Sequence, residues 1–184
     1  MRKLLVSVCI IISNLCISQI SQLRIITKQN DTISGAFKHR YIMNPAKSYE
    51  FQDEILVLNR KLETVKMLPS QVKSFSFKWG EEVVTYESRD EKIFALVMYS
   101  NKLKLLRFSK RGYTSVDIYV IERPNGKISF LEAMGLSRRI SLKVIKREMP
   151  DCPNTIENVK NDILKIQGEP GILELVKDYE TNCY

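Results

Sequence analysis

The sequence predicts an α+β protein: an antiparallel β-meander, forming a curved or barrel-like sheet, followed by a C-terminal segment of about three helices. Residues 72–131 read as five or six consecutive strands broken by short turns, and strands in that order pair with their neighbours. From Leu136 onward the apolar residues recur at helical spacing instead. No internal repeat, low-complexity tract or long linker separates the two parts. A sheet-rich body over 19–134 and a helical segment over 135–184 are therefore expected to form one structural unit.

Within the meander, Ser74-Phe75-Ser76-Phe77-Lys78-Trp79 places aromatics at every second position, the period of a strand with one wet face. Residues 82–87 follow after Gly80, a natural turn residue. Residues 93–99 are apolar on both sides, as expected of a central strand covered on two faces. Ser100-Asn101 turns the chain into 103–108. Residues 113–121 alternate again, with Val116, Ile118 and Val120 on one side. Asn125-Gly126 then predicts a type I′ hairpin turn, which needs positive φ at both central residues, and 128–131 is the returning strand. Upstream, 23–28 and 32–39 form a hairpin around Gln29-Asn30-Asp31, and Asn44-Pro45 punctuates the chain. Residues 49–51, 55–58 and 64–67 read as short strands, and Leu68-Pro69-Ser70 as a break.

In the helical segment, Leu136, Ile140 and Val144 form one stripe and Leu142, Ile145 and Met149 another, with Ser137 as N-cap and Pro150 or Pro153 as the stop. Asn154-Thr155-Ile156-Glu157 reads as a capping box opening a second helix. The third carries Pro170 in its first turn and Ile172, Leu175, Val176 and Tyr179 along one face.

Length and composition are those of a globular domain: 184 residues, 44% hydrophobic and 27% charged. The first eighteen residues have the form of an export signal, with Arg2 and Lys3 before an apolar run over 4–12 and Cys16-Ile17-Ser18 at the cleavage site. The run is shorter than the ~20 residues a spanning helix needs, and Ser13-Asn14-Leu15 is not the small-residue pattern of a lipid-anchored Cys16. Cleavage before Gln19 leaves no transmembrane segment and lowers the formal charge from +8 to +6, because Arg2 and Lys3 depart and no acid does. Cys9 and Cys16 leave with the signal. The remaining Cys152 and Cys183 are expected to pair in an oxidising compartment, the periplasm, cell surface or medium. The alternative is two free thiols. Cys152 precedes the second helix and Cys183 follows the third, so a fold-back near Gln167-Gly168 brings the two together.

The order of Asn30-Asp31-Thr32-Ile33-Ser34-Gly35, Asn44-Pro45, Phe51, the run 68–75 and Asp151-Cys152-Pro153 resembles a group of small exported proteins of unknown function common in Bacteroidetes-type bacteria. Leu23-Arg24 stand where that group usually has a glycine and an aromatic. The resemblance implies export and no assigned activity or catalytic residue.

No catalytic constellation stands out. The only histidine, His39, lies between Lys38 and Arg40 without a visible nucleophile partner, and a zinc site from His39, Cys152 and Cys183 lacks a fourth ligand. Phosphate-cradling glycine loops are absent, and no cofactor is expected. The acidic pairs Asp53-Glu54, Glu81-Glu82 and Asp90-Glu91 are adjacent, so on strands they point to opposite faces. The functional signal is basic. Lys102, Lys104, Arg107, Lys110 and Arg111 share one hairpin region, and Arg138, Arg139, Lys143, Lys146 and Arg147 decorate the first helix, where 139, 143, 146 and 147 share a face. Arg139, Lys143, Lys146 and Arg147 are thus the candidate anion-binding residues, for an acidic polysaccharide, lipid headgroups or another envelope protein. Nucleic acid is not expected of an exported chain whose aromatics read as core. The expected function is a non-enzymatic exported binding module; the alternative is an exported hydrolase with a carboxylate site that no motif reveals. The protein recovered from fractionated cells is expected to begin at Gln19 and to gain two mass units on reduction; mass spectrometry checks both.

Overall fold

The computed structural model of the chain describes residues 23–38, 51–59, 61–110, 116–133 and 139–184. The proposed export signal, His39, Asn44-Pro45, Tyr49-Glu50, Arg111 and residues 134–138, with Leu136, Ser137 and Arg138, lie outside them. The described strands are β1 (Leu23–Thr27), β2 (Thr32–Phe37), β3 (Ile55–Leu58), β4 (Thr64–Met67), β5 (Val72–Trp79), β6 (Glu82–Arg89), β7 (Ile93–Ser100), β8 (Lys104–Lys110), β9 (Val116–Glu122) and β10 (Ile128–Ala133). They build one antiparallel sheet in the order β10-β9-β8-β7-β6-β5-β1-β2-β3-β4. The expected meander is β5 to β10, and β1 joins its β5 edge, with Ile25 opposite Phe75. The sheet is open, with β10 and β4 as its edges, so the barrel-like form is not realised.

The sheet is nevertheless strongly curved. Arg89 on β6 donates to Glu122 at the end of β9 at 2.8 Å, and its guanidinium lies 5.3 Å from the ring centre of Phe130 on β10. Strands β6 and β10 are four places apart, about 19 Å in a flat sheet at the usual strand spacing, which no arginine spans. Coiling of the sheet brings them together over a small core of Ala95, Leu106, Ile118 and Val120. Strand β7 is covered on both sides as its sequence predicts: Ala95 faces this core and Phe94 the opposite one.

That opposite face carries two further cores. At the β1 to β7 end, Phe75, Phe77, Tyr86 and Phe94 pack with Leu23, Ile25, Ile55 and Val57, and Phe51 inserts among them. Phe75 stacks on Tyr86 at 4.9 Å and meets Phe94 edge-on at 5.0 Å, the geometries that aromatic quadrupoles favour. Phe51 was expected in a strand; residues 51–53 instead form a bend, from which the Gln52 carbonyl accepts the Phe94 N–H. At the β8 to β10 end, three helices cover Leu103, Leu105, Tyr119, Ile121 and Leu131. They are α1 (Leu142–Glu148), α2 (Pro153–Lys160) and α3 (Gly168–Cys183).

Three local expectations are corrected. The turn at 123–126 is not type I′: among its residues only Gly126 has positive φ, and its N–H bonds the Arg123 carbonyl. Pro124, with φ fixed near −65°, sets a type I turn that Gly126 then closes in the left-handed region. Helix α1 starts at Leu142 rather than Leu136, with Ser141 as its N-cap, so Arg139 precedes the helix and bridges Gln167 in extended conformation. Helix α2 begins at Pro153 with Cys152 in the cap position, which places Asn154 in its first turn rather than as its cap.

Helix α3 buries Gly171, Ile172, Leu175, Val176, Tyr179 and Glu180, a stripe of period 3.6. Gly171 is required there because a Cβ would run into the Lys165 carbonyl oxygen and come within 3.2 Å of the Ile166 Cα. Alanine gains about 1 kcal/mol of helix propensity. The backbone collision opposes it more strongly, so Gly171→Ala is expected to lower stability by about 1 to 3 kcal/mol. A reduced urea midpoint at unchanged slope checks this.

Candidate functional site

The helical layer is held to the sheet by polar anchors set into its apolar contacts. On the buried stripe of α3, the Glu180 carboxylate accepts from the Leu103 N–H at 2.8 Å, the Tyr99 hydroxyl at 3.0 Å and the Asn101 amide at 2.7 Å. Burial pushes its pKa up, but these donors and the charge of Lys102 outweigh burial and hold it below the usual range. At the preceding residue, the Tyr179 hydroxyl accepts from Arg123 Nε at 2.6 Å and donates to Asp151 at 2.9 Å. Burial, and then the hydrogen bond to Tyr184, push the Tyr179 phenol up; Asp151 is lowered, since the bond from Tyr179 and the charge of Arg123 exceed its own desolvation. Thr155 and Asn158 of α2 donate to Asp178 of α3 at 2.6 and 2.9 Å.

The expected cysteine pair is present. Cys152 and Cys183 form a disulfide, their Cα atoms 5.9 Å apart across 31 residues, and it closes the α2–α3 fold-back. Neither sulfur is then a thiolate free to bind zinc.

The basic residues divide. In the β7–β8 region Arg107 is 1% exposed and pairs with Glu169 in the first turn of α3, Lys104 pairs with Glu87 at 2.8 Å, and the Lys102 ammonium donates to the main-chain oxygen of Tyr184. Among its described residues this hairpin therefore presents no continuous positive face, with Lys110 left exposed at its end. On α1, Lys143, Lys146 and Arg147 are exposed and share a side of the helix, with Arg147 paired to Glu148 at 2.7 Å. Arg139 leaves that row because it lies outside the helix.

Arg139 belongs instead to a groove of 780 Å³ between the start of α1, the end of α2 and residues 162–167. Ile140, Leu142, Val159, Leu164 and Ile166 line it, and Arg139, Lys160, Lys165 and the single acid Asp162 contribute its charges. No sequence pattern joins Lys160 and Lys165 to the basic α1 cluster, because ten or more residues of chain separate them from it. Two features bring them beside Arg139: the reversal at Asp162, which takes a positive φ of 55°, and the bridge from Arg139 to Gln167. An Asn-Asp pair after a lysine-ended helix is the one local sign of that reversal. Among the described residues, no three histidine, cysteine, aspartate or glutamate side chains cluster to hold a metal. No protein-family model, curated protein or solved structure matches the chain.

Because the folded pKa of Glu180 lies below its unfolded value, its contribution to stability is full above the ordinary glutamate range and is lost as pH falls through the lower folded value. Asp151 acts in the same direction. Melting temperature is expected to drop on acidification below that range, and Glu180→Gln, whose amide cannot accept from all three donors, to flatten the drop while lowering stability at neutral pH by about 1 to 3 kcal/mol. Reducing the disulfide is expected to remove about 3 to 4 kcal/mol more. Melts at several pH values, with and without reductant, check both.

Proposed function

We propose that the protein is an exported, non-enzymatic module of the cell envelope or cell exterior that binds an anionic partner at the helical groove. On this proposal it belongs with the small exported proteins common in Bacteroidetes-type bacteria. The observation that carries the binding site is the convergence of Arg139, Lys160 and Lys165 on one groove that holds a single acid, Asp162. Three cations against one lining acid, with Glu157 beside Lys160, leave a net positive field at a concave surface where a partner can be desolvated. The exposed Lys143 and Lys146 of α1 extend the positive charge along the same layer.

Export is supported by the Cys152–Cys183 disulfide, a bond that persists in oxidising compartments. Among the described residues no helix is long and apolar enough to cross a membrane. A carboxylate-based hydrolase needs two acids facing one cleft. Asp151 and Glu180, the carboxylates held below the ordinary range, are both tied into hydrogen bonds within the fold, and neither lines the groove.

The partner classes to be tried are an acidic polysaccharide, vesicles with anionic headgroups, an acidic envelope protein and small organic anions. Binding of at least one class is expected, weakened by salt. The variant R139E/K160E/K165E is expected to weaken it by about tenfold or more, and K143E/K146E by less. Calorimetry at low and high salt measures this; equal affinities for the groove variant and the parent would sink the proposal.

A further inference from the structure

We infer that the occupant of this groove is a single-chain anionic amphiphile, such as a long-chain carboxylate, with its acid on Arg139 and Lys165 and its alkyl chain on the apolar floor. The inference deepens the anion-binding proposal and rests on it.

Four observations select this chemistry. Five apolar side chains line the groove beside the polar Ser141 and Gln167: Ile140 and Ile166 are buried, while Leu142, Val159 and Leu164 are half-buried and still face water. A chain laid there removes apolar surface from water, a gain that a hydroxyl-rich polysaccharide cannot make and a bare phosphate does not use. Several backbone donors of the connection between α2 and α3 are already satisfied internally. Asp162 N–H bonds the Val159 carbonyl at 3.3 Å, Ile163 and Leu164 bond the Asn158 carbonyl, and Gln167 bonds the Lys165 carbonyl. An extended peptide would need such groups for its own main chain; an alkyl chain needs none.

The third observation is charge. Among the described residues Arg139 and Lys165 make no ion pair, whereas Lys160 is shared with Glu157 at 3.4 Å in an exposed pair of small worth. Asp162 disfavours a multiply charged or bulky anionic head beside it and leaves room for one negative charge. The fourth is size. At 780 Å³ the groove falls within the ~300–1,000 Å³ of small-molecule sites, the size class of a single acyl chain.

The test uses the protein as exported and purified, titrated by calorimetry with monomeric octanoate, decanoate, dodecanoate and tetradecanoate below their micelle concentrations. Affinity is expected to rise with chain length, by up to about fourfold per methylene. The methyl ester of tetradecanoate is expected to bind at least about tenfold more weakly, because it lacks the charge. Lys165→Glu, an exposed change compatible with folding, and Leu164→Asp, on the floor, are each expected to weaken tetradecanoate binding by about tenfold or more. If Leu164→Asp fails to fold, Lys165→Glu and the ester still decide. No chain-length dependence, equal binding of acid and ester, or unchanged binding in Lys165→Glu overturns the inference. Should an acidic polysaccharide, inorganic phosphate, acidic peptide or anionic vesicle bind through Arg139 and Lys165 while tetradecanoate does not, the amphiphile is wrong and the anion-binding proposal stands. If no anion of any class binds, both fall.

Discussion

The apolar face of the β5 to β10 meander has to be removed from water along its whole width, and no single element of this chain is large enough to cover it. Two covers meet that requirement. The strands β2 and β3, with Phe51, close the aromatic half around Phe75, Phe77, Tyr86 and Phe94, and α1 to α3 close the aliphatic half over Leu105, Tyr119 and Ile121. Six strands whose inward residues are mostly apolar make this burial the main favourable term in the fold. The position of the helical layer, and so of everything it carries, follows from where the second cover must lie.

Apolar contact alone would let that layer slide, because it has no preferred register. Directional groups remove the freedom. Glu180 accepts three donors from the β7–β8 turn, and the Arg123–Tyr179–Asp151 chain ties β9, the α1–α2 connection and α3 together. Arg107, buried on the sheet, meets Glu169 at the start of α3, where a negative side chain also complements the helix dipole. Such buried pairs add little net stability over apolar residues of the same size. Their effect is specificity of placement, since an alternative docking leaves a charge unpaired in a dry site.

The groove results from that placement. Gly171 lets residues 165 and 166 pass against α3, and the disulfide closes the α2–α3 fold-back; the connection between α2 and α3 is then held against the start of α1 rather than lying flat on it. Lys160 at the end of α2 and Lys165 in the connection line one groove with Arg139, together with Leu164 and Ile166. A groove lined by both cations and apolar side chains is therefore built by three segments.

Local chemistry written along the chain determined the strands of the meander, the stripe of α3 and the pairing of Cys152 with Cys183, because alternation, 3.6-residue spacing and cysteine placement act between near neighbours or at element ends. It misplaced the start of α1: Leu136 and Ile140 fit the helical period, yet Ile140 is buried in extended chain and Ser141 supplies the cap. It also counted Arg107 and Lys104 as surface charge when the fold had partners for both. Only the tertiary structure decided which cations share the groove. That depends on distances between Arg139, Lys160 and Lys165, and no periodicity carries the mutual position of residues joined through a left-handed turn and a long-range bridge.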